Sequence, residues 1–140
     1  MPRSLAAGLF LTLGLGAVAC ESLPTIPNAA PTASFIFSPV SPIFAGGTSV
    51  VFNASASLDT DGHVASYLWN FGDGTAEVTS ASPTTVHVFP DTAARCTDIV
   101  YAVLLTVTDD KGSRGFASQN VTVTELPAPT SAECATSAGK

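Results

Sequence analysis

The chain has 140 residues, of which 46% are hydrophobic and 11% charged, and its formal net charge is −6. The charged share is well below the ~25% that is usual for soluble domains. Its five basic residues are scattered singly, so no basic patch forms along the sequence and we expect no nucleic-acid binding. The length allows one domain of about 100 residues with a tail at each end.

Residues 1–19 predict a signal peptide for export. A short basic region around Arg3 precedes an apolar run over residues 5–19. A run of this length suits a signal-peptide core and is short for a membrane span. The run ends on a small-residue cleavage pattern at Ala17 and Ala19, and Cys20 follows directly.

Two interpretations of this cleavage site remain open. In the first, Cys20 is lipidated, because the site resembles a bacterial lipobox, although Ala17 stands where Leu is usual. In the second, ordinary cleavage leaves a secreted protein with an odd thiol. We favour the lipoprotein, since lipidation of Cys20 leaves an even pair, Cys96 and Cys134, that an oxidising exported compartment tends to join. The membrane would then be reached through the lipid anchor only.

The next segment, residues 20–31, is predicted to be the lipidated Cys followed by a Pro-rich linker. Three prolines keep it extended, at about 3.1 Å per residue if polyproline-like. A domain over residues 32–124 follows, and residues 125–140 form an irregular C-terminal tail of similar composition. No internal repeat is visible, which indicates a single module.

Within that domain the period-two alternation of apolar residues predicts about seven short strands. In chain order they cover residues 33–37, 48–54, 64–71, 76–79, 84–89, 100–108 and 116–124. Turn residues rich in Gly, Asp and Pro separate them. The pattern predicts an all-β fold, an immunoglobulin-like sandwich of about seven antiparallel strands.

One run within the third predicted strand is especially informative. Tyr67, Trp69 and Phe71 alternate on one face, and the chain then enters a tight turn over residues 72–74. The run closely resembles the signature of the PKD (polycystic kidney disease) domain family, usually Tyr-x-Trp-Asp-Phe-Gly-Asp-Gly. The residues that carry the resemblance are Tyr67, Trp69, Asn70, Phe71, Gly72, Asp73 and Gly74, with Asn70 where Asp is usual.

The resemblance extends over about residues 31–123. Further segments that resemble the family's sequence pattern lie at residues 45–52, 57–62, 87–89 and 104–109. It implies an immunoglobulin-like sandwich that serves as an extracellular module. Independently, the alternation predicts that Trp69 is a core residue and that Asp73 stabilises a turn. We expect His87, on a strand, to be a core-edge histidine bonded to backbone.

Strand parity predicts which loops share an end of the sandwich. Cys96, between the fifth and sixth strands, and Cys134, beyond the seventh, should emerge at one end, and we predict a disulfide between them. Asp59, Asp61, Asp109 and Asp110 should gather at the opposite end, beside the linker. Carboxylates that converge from two loops suit Ca²⁺, and some PKD domains bind calcium near this linker. Asp residues also stabilise such turns through their own backbone, which is the favoured interpretation.

No sequence motif for catalysis is found. The chain lacks a nucleophile elbow, a His-Glu-x-x-His helix, a phosphate loop and zinc-type Cys/His spacing, so we expect no enzyme and no cofactor other than this calcium. The leading hypothesis is a lipid-anchored binding or spacer module of the cell surface that contacts protein or carbohydrate. The alternative is an accessory lipoprotein subunit with an architectural role in a larger envelope assembly.

Overall fold

The structure is a computed structural model that describes residues 25–91 and 98–124. These residues form β-strands, and within the two ranges there is no helix long and apolar enough to cross a membrane. The predicted signal peptide and C-terminal tail lie outside the described residues. So do all three cysteines, Cys20, Cys96 and Cys134, and the lipid and disulfide predictions with them.

Two antiparallel sheets make up the fold. The strands are β1 (Ile36–Ser38), β2 (Val50–Asn53), β3 (Val64–Asn70), β4 (Val78–Ser80), β5 (Thr84–His87), β6 (Ile99–Asp109) and β7 (Arg114–Val123). One sheet has the order β1-β2-β5 and the other β4-β3-β6-β7. This arrangement confirms the predicted all-β sandwich, and β1 to β7 correspond in order to the seven predicted strands.

The first strand is shorter than predicted because the chain before it lies against the other sheet. The Pro31 carbonyl oxygen occupies the place that a Cβ on Gly115 of β7 would take. The Gln119 side-chain amide, also on β7, donates to the Phe35 carbonyl. Thr32 meanwhile forms a bridge with Leu58. Residues 31–35 therefore lie against the inner face of β7, the face that carries Gly115 and Gln119.

The chain after β1 forms backbone hydrogen bonds with the residue that follows β7. Phe44 forms a parallel bridge with Thr124, and the Ala45 amide donates to the Thr124 carbonyl over 3.0 Å. The Gly46 amide donates to the Phe89 carbonyl over 2.7 Å. The segment between β1 and β2 thus joins the two sheets at this end.

Aromatic rings fill the space between the sheets. Trp69 is 0% exposed and lies edge-on to Phe35, with centroids 5.2 Å apart and planes at 83°. The centroid of the Phe52 ring lies 5.7 Å from that of Trp69 and 5.2 Å from that of Phe71. Because each buried aromatic removes about 150–250 Å² from water, this cluster supplies much of the hydrophobic stabilisation. Aliphatic side chains complete the core, among them Ile43, Val50, Val103, Leu105, Val107, Val121 and Val123.

The loops divide between two ends. We call the linker end the loops over residues 54–63 and 110–113 together with residues 28–32. The Asp110 amide donates to the His63 carbonyl over 3.1 Å there, and the Thr32 amide to the Leu58 carbonyl over 2.7 Å. We call the turn end the loops over residues 71–77, 43–47 and 88–91. These groupings are the ones that strand parity predicts.

Candidate functional site

The signature run on β3 belongs to the core. Tyr67, Trp69 and Phe71 all point inward and are buried. Trp69 has no exposed surface, so it offers no ring face to a sugar or any other ligand. Leu68 between them points to the outer face. The residues that carry the family resemblance are therefore folding residues.

The turn after β3 depends on two glycines and the side chain of Asn70. Gly72 and Gly74 have positive φ angles of 73° and 84°. A Cβ on Gly72 would lie 2.6 Å from the Ala102 carbonyl oxygen, so only glycine fits there. The Asn70 Oδ1 accepts from the Gly72 amide, and its Nδ2 donates to Glu77, each over 2.9 Å. Asn can make both bonds, whereas a carboxylate could not donate to Glu77.

Asp73 within this turn pairs with His87 of the opposite sheet. The Asp73 Oδ2 lies 2.6 Å from the His87 Nε2, and the Asp73 side chain is inaccessible to solvent. Its Oδ1 accepts from the amide and hydroxyl of Thr75, over 3.0 and 2.7 Å. Burial raises the pKa of Asp73, but the hydrogen bonds from Thr75 and His87 outweigh burial and hold that pKa below its ordinary value. The turn carboxylate therefore links β3 to β5.

Two aromatic rings contact the His87 ring and fix its position beside Asp73. The His87 ring stacks on Phe71 with centroids 3.7 Å apart and planes at 3°, and meets Phe89 edge-on at 4.8 Å. The expectation that this histidine bonds to backbone is wrong, because the Asp73 carboxylate is its partner. Parity already placed the turn after β3 and the end of β5 at the same end of the sandwich. That placement was the one feature of the sequence from which a contact between Asp73 and His87 could have been predicted.

The linker end brings the four predicted aspartates together with the start of the domain. Asp59 and Asp61 lie in the loop after β2, Asp109 ends β6, and Asp110 follows it. The Asp110 carboxylate accepts from the His63 amide over 3.1 Å. Lys111 donates through Nζ to the Asp61 carboxylate over 3.3 Å. The two loops are thus joined by hydrogen bonds between their acidic residues and neighbouring donors.

The same aspartates hold the segment that was predicted as linker. The Asn28 Nδ2 donates to the Asp109 Oδ2 over 2.7 Å, and the Ala29 amide donates to Asp61 over 3.2 Å. The Ala29 amide, and then Lys111, hold the pKa of Asp61 below its ordinary value. Burial raises the pKa of Asp109, but donors led by Asn28 outweigh burial and lower that pKa. Residues 28 and 29 are therefore docked on the domain.

Two oxygen atoms at the linker end have no hydrogen-bond partner within residues 25–91 and 98–124. The Asp59 Oδ2 and the Asn28 Oδ1 are both buried, and the Asp59 residue is only 8% exposed. The Asp59 Oδ2 lies 2.7 Å from the place of a Cβ on Gly62, and the Asp110 Oδ1 also lies against that place. These are hard oxygen ligands of the kind that Ca²⁺ prefers. Among the described residues, however, no three His, Cys, Asp or Glu side chains form a group that could hold a metal ion.

The outer faces of both sheets are almost free of charge. The described residues include ten charged side chains, and all but Arg114 and the inward-facing Asp109 lie in loops. The outer faces carry exposed aliphatic and aromatic side chains instead, among them Ile36, Val51, Val86, Val100, Leu104 and Phe116. Sequence reasoning did not single out these faces.

Two curated bacterial proteins are similar to this chain over part of their length. The collagenase ColA of Bacillus cereus is 38% identical over 78 residues, which are 56% of this chain and 7% of the collagenase. The pre-pro-metalloprotease PrtV of Vibrio cholerae is 36% identical over 99 residues, 71% of this chain and 9% of that protein. The chain thus corresponds to less than a tenth of each.

Two solved structures share both fold and sequence with it. One, described for carbohydrate-binding modules of the β-sandwich superfamily, has a TM-score of 0.62 and 40% identity, and the match covers 72% of this chain and 37% of that one. The other is the PKD1 domain of Vibrio anguillarum Epp, with a TM-score of 0.52, 31% identity and coverage of 72% and 100%.

The family assignment rests on a match to a family model that spans more than half of the chain. The model of the PKD domain matches residues 28–124, a range that begins at the docked Asn28 and ends one residue after β7. The match includes both sheets, the signature run and the linker end. By this match the chain belongs to the PKD domain family.

Proposed function

We propose that this protein is a non-enzymatic binding or spacer module of the cell envelope, exported by residues 1–19 and anchored through lipid on Cys20. It would act through contact with protein or carbohydrate at the cell surface. The observation that carries the proposal is the distribution of charge. Loop carboxylates take part in hydrogen bonds within both ends, whereas the exposed sheet faces carry apolar and uncharged polar side chains and are nearly free of charge. Exposed faces of this kind favour contact with a partner.

The relatives support this function without extending their activities to this chain. Two are named for collagen cleavage or proteolysis, and one structure is described for carbohydrate-binding modules. The similar segment is a small part of each protease, which suits an accessory module beside a catalytic part. Collagen lies outside bacterial cells, so the names are consistent with an exported protein.

The anchor is tested by metabolic labelling of cells with a clickable fatty acid. We expect label on the wild-type chain and none on Cys20→Ser, because only the Cys at the cleavage site can become the first residue of a lipoprotein. Cys134→Ser is the matched control and should keep the label. An unlabelled wild-type chain in the culture medium would instead support the secreted alternative with a free thiol.

The binding role is tested by mild cross-linking and pull-down of the full chain from envelope fractions, with retention on whole cells measured in parallel. Retention on cells supports a surface-binding module. Recovery of one stoichiometric envelope protein without retention on cells supports the second candidate, an architectural subunit of an envelope assembly. A chain that is neither retained on cells nor cross-linked to any envelope component would contradict both.

For the linker end we infer a structural role, in which the aspartates hold the two loops and residues 28–29. Binding of Ca²⁺ is a second candidate for it, favoured by the unpartnered oxygens of Asp59 and Asn28. With Asp110, these residues would supply carboxylate and amide oxygens and draw the linker onto the domain. Titration calorimetry of the full chain with millimolar CaCl₂ tests this. Heat that disappears in Asp59→Asn but persists in Asp98→Asn, at the turn end, supports calcium; no heat leaves the structural role alone.

A further inference from the structure

The outer face of β7 carries a straight line of exposed side chains. We call Phe116, Ser118, Asn120 and Thr122 the β7 track; alternate residues of one strand share a face, and all four are exposed. Steps of two residues along a strand measure about 6.8 Å, so the track is about 20 Å long. Phe116 stands at its start with 63% of its surface exposed.

Side chains from the inner strands of the same sheet lie beside the track. We call Leu68, Leu104 and Thr106 the floor of the track. Thr106 of β6 lies opposite Phe116, and Leu104 lies opposite Ser118. Leu68 of β3 lies on the other side of Thr106. Although Thr106 points outward, it is only 7% exposed, which means that the larger side chains around it shield it. Phe116 therefore stands beside side chains that are packed against one another.

The polar members of the track are free to bind. Ser118, Asn120 and Thr122 form no side-chain hydrogen bond with any other described residue. Other asparagines are engaged: the Asn53 Oδ1 accepts from the Ser55 amide, and Asn70 bonds to Gly72 and Glu77. One exposed aromatic followed by three unengaged hydrogen-bonding side chains is a suitable surface for a sugar chain. The apolar C–H face of a pyranose ring packs on an aromatic ring, and its hydroxyls exchange hydrogen bonds with amides and hydroxyls.

The charge of the track and of the whole chain indicates which class of polymer the track would bind. The track contains no charged residue, and Arg114 is the one charged side chain that points outward from the described strands. The whole chain carries a net charge of −6, which repels an anionic polymer at long range. A cationic partner would be drawn to the carboxylates at the ends. An uncharged track on an acidic protein is electrostatically complementary to a neutral ligand.

We propose that the β7 track and its floor bind an extended neutral polysaccharide, with Phe116 as the stacking residue. This inference deepens the proposed binding function and rests on it. The shape supports a polymer over a small ligand, because a flat strand face about 20 Å long offers no enclosing pocket. Ser118, Asn120 and Thr122 serve successive sugar units along the chain.

The test measures binding of the purified full chain, in a detergent without sugar headgroups, to insoluble cellulose, chitin and starch. Polygalacturonate serves as an anionic comparison. Phe116→Ala is compared with Phe116→Tyr, which keeps the ring, and with Val86→Ala on the other sheet. Val86 is a matched control, since it is 60% exposed and Phe116 is 63% exposed. Circular dichroism and thermal midpoints show whether each variant is folded.

We expect at least one neutral polysaccharide to retain the wild type, and Phe116→Ala to weaken binding by about tenfold or more, as for a central aromatic anchor. Phe116→Tyr and Val86→Ala should stay within about twofold of wild type. No retention on any neutral polysaccharide, preference for polygalacturonate, or equal losses in Phe116→Ala and Val86→Ala would each overturn the proposal. Retention on whole cells that Phe116→Ala leaves unchanged would overturn it while leaving the proposed function in place.

Discussion

The pair formed by Asp73 and His87 should contribute measurably to the stability of the sandwich. Asp73→Asn keeps an oxygen for Thr75 but removes the carboxylate oxygen that faces the His87 Nε2. His87→Phe keeps a ring on Phe71 but removes the nitrogen. Together with the double variant, these changes form a double-mutant cycle that isolates the coupling between the two side chains.

The burial of the pair sets the expected magnitude. The Asp73 side chain is 0% exposed and that of His87 12% exposed, so water does not screen the bond or replace it. Hydrogen bonds to charged groups contribute about 1.5–3 kcal/mol, and a buried charged group left unpaired costs at least as much. We therefore expect each single variant to lose about 2–3 kcal/mol and the coupling free energy to be about 1.5–3 kcal/mol.

The pH dependence of this contribution has a definite sign. The pKa of Asp73 is lower in the folded state than its ordinary value of 3.8. Stability from a carboxylate with a depressed pKa is fully present above the unfolded pKa and is lost as the pH falls through the folded one. The contribution of the Asp73 carboxylate to the difference in unfolding free energy between wild type and Asp73→Asn should therefore shrink as the pH falls below 3.8.

The assay is urea denaturation at pH 7 and at several values down to about pH 3. His63→Gln is the matched control, because His63 lies 3.8 Å from Asp110 but its side chain is 76% exposed. Exposed pairs of this kind contribute about 0–1 kcal/mol. A coupling free energy below about 0.5 kcal/mol between Asp73 and His87 would refute the reasoning. So would a difference in unfolding free energy that does not shrink as the pH falls below 3.8.

Three further predictions concern the core, the packing of Pro31 against β7, and the cysteines. Trp69→Ala should lower the unfolding free energy by about 3–5 kcal/mol in urea titrations; a stable, folded variant that has lost only ligand binding would contradict the core assignment. Gly115→Ala should cost at least about 1–3 kcal/mol because its Cβ would meet the Pro31 carbonyl, whereas exposed Ser118→Ala should change little. Non-reduced peptide mapping should recover Cys96 linked to Cys134, and unlinked peptides would remove that prediction.

Much of the fold could be predicted because strand periodicity is a local property. Alternation around Trp69 located β3, and the apolar run before Asp109 located β6, since both strands bury one face and expose the other. β1 was less predictable. Its alternating residues satisfy a strand pattern over 33–37, but the backbone before Ile36 lies against β7. A choice between two sheets depends on residues distant in sequence, which a local pattern does not contain.

The candidate sites likewise have features that could be predicted from the sequence and features that could not. Parity predicted that Asp59, Asp61, Asp109 and Asp110 share one end, since the positions of loop residues follow from strand order. Which donor each carboxylate would accept from could not be predicted, because Asn28 is 81 residues from Asp109. The exposure of Phe116 could not be predicted either, because alternation does not say which of two faces is buried when both carry apolar residues.

By itself, the amino-acid sequence determined the succession of strands along the chain, the family and the ends at which charged loops lie. Period-two burial, turn glycines and antiparallel succession are short-range constraints that one chain expresses in full. Only the tertiary structure decided that Asp73 pairs with His87, that Asn28 docks on Asp109 and that Phe116 stands exposed on a nearly uncharged face. Each of these depends on how two sheets pack and register, and packing brings together side chains whose separation along the chain carries no signal.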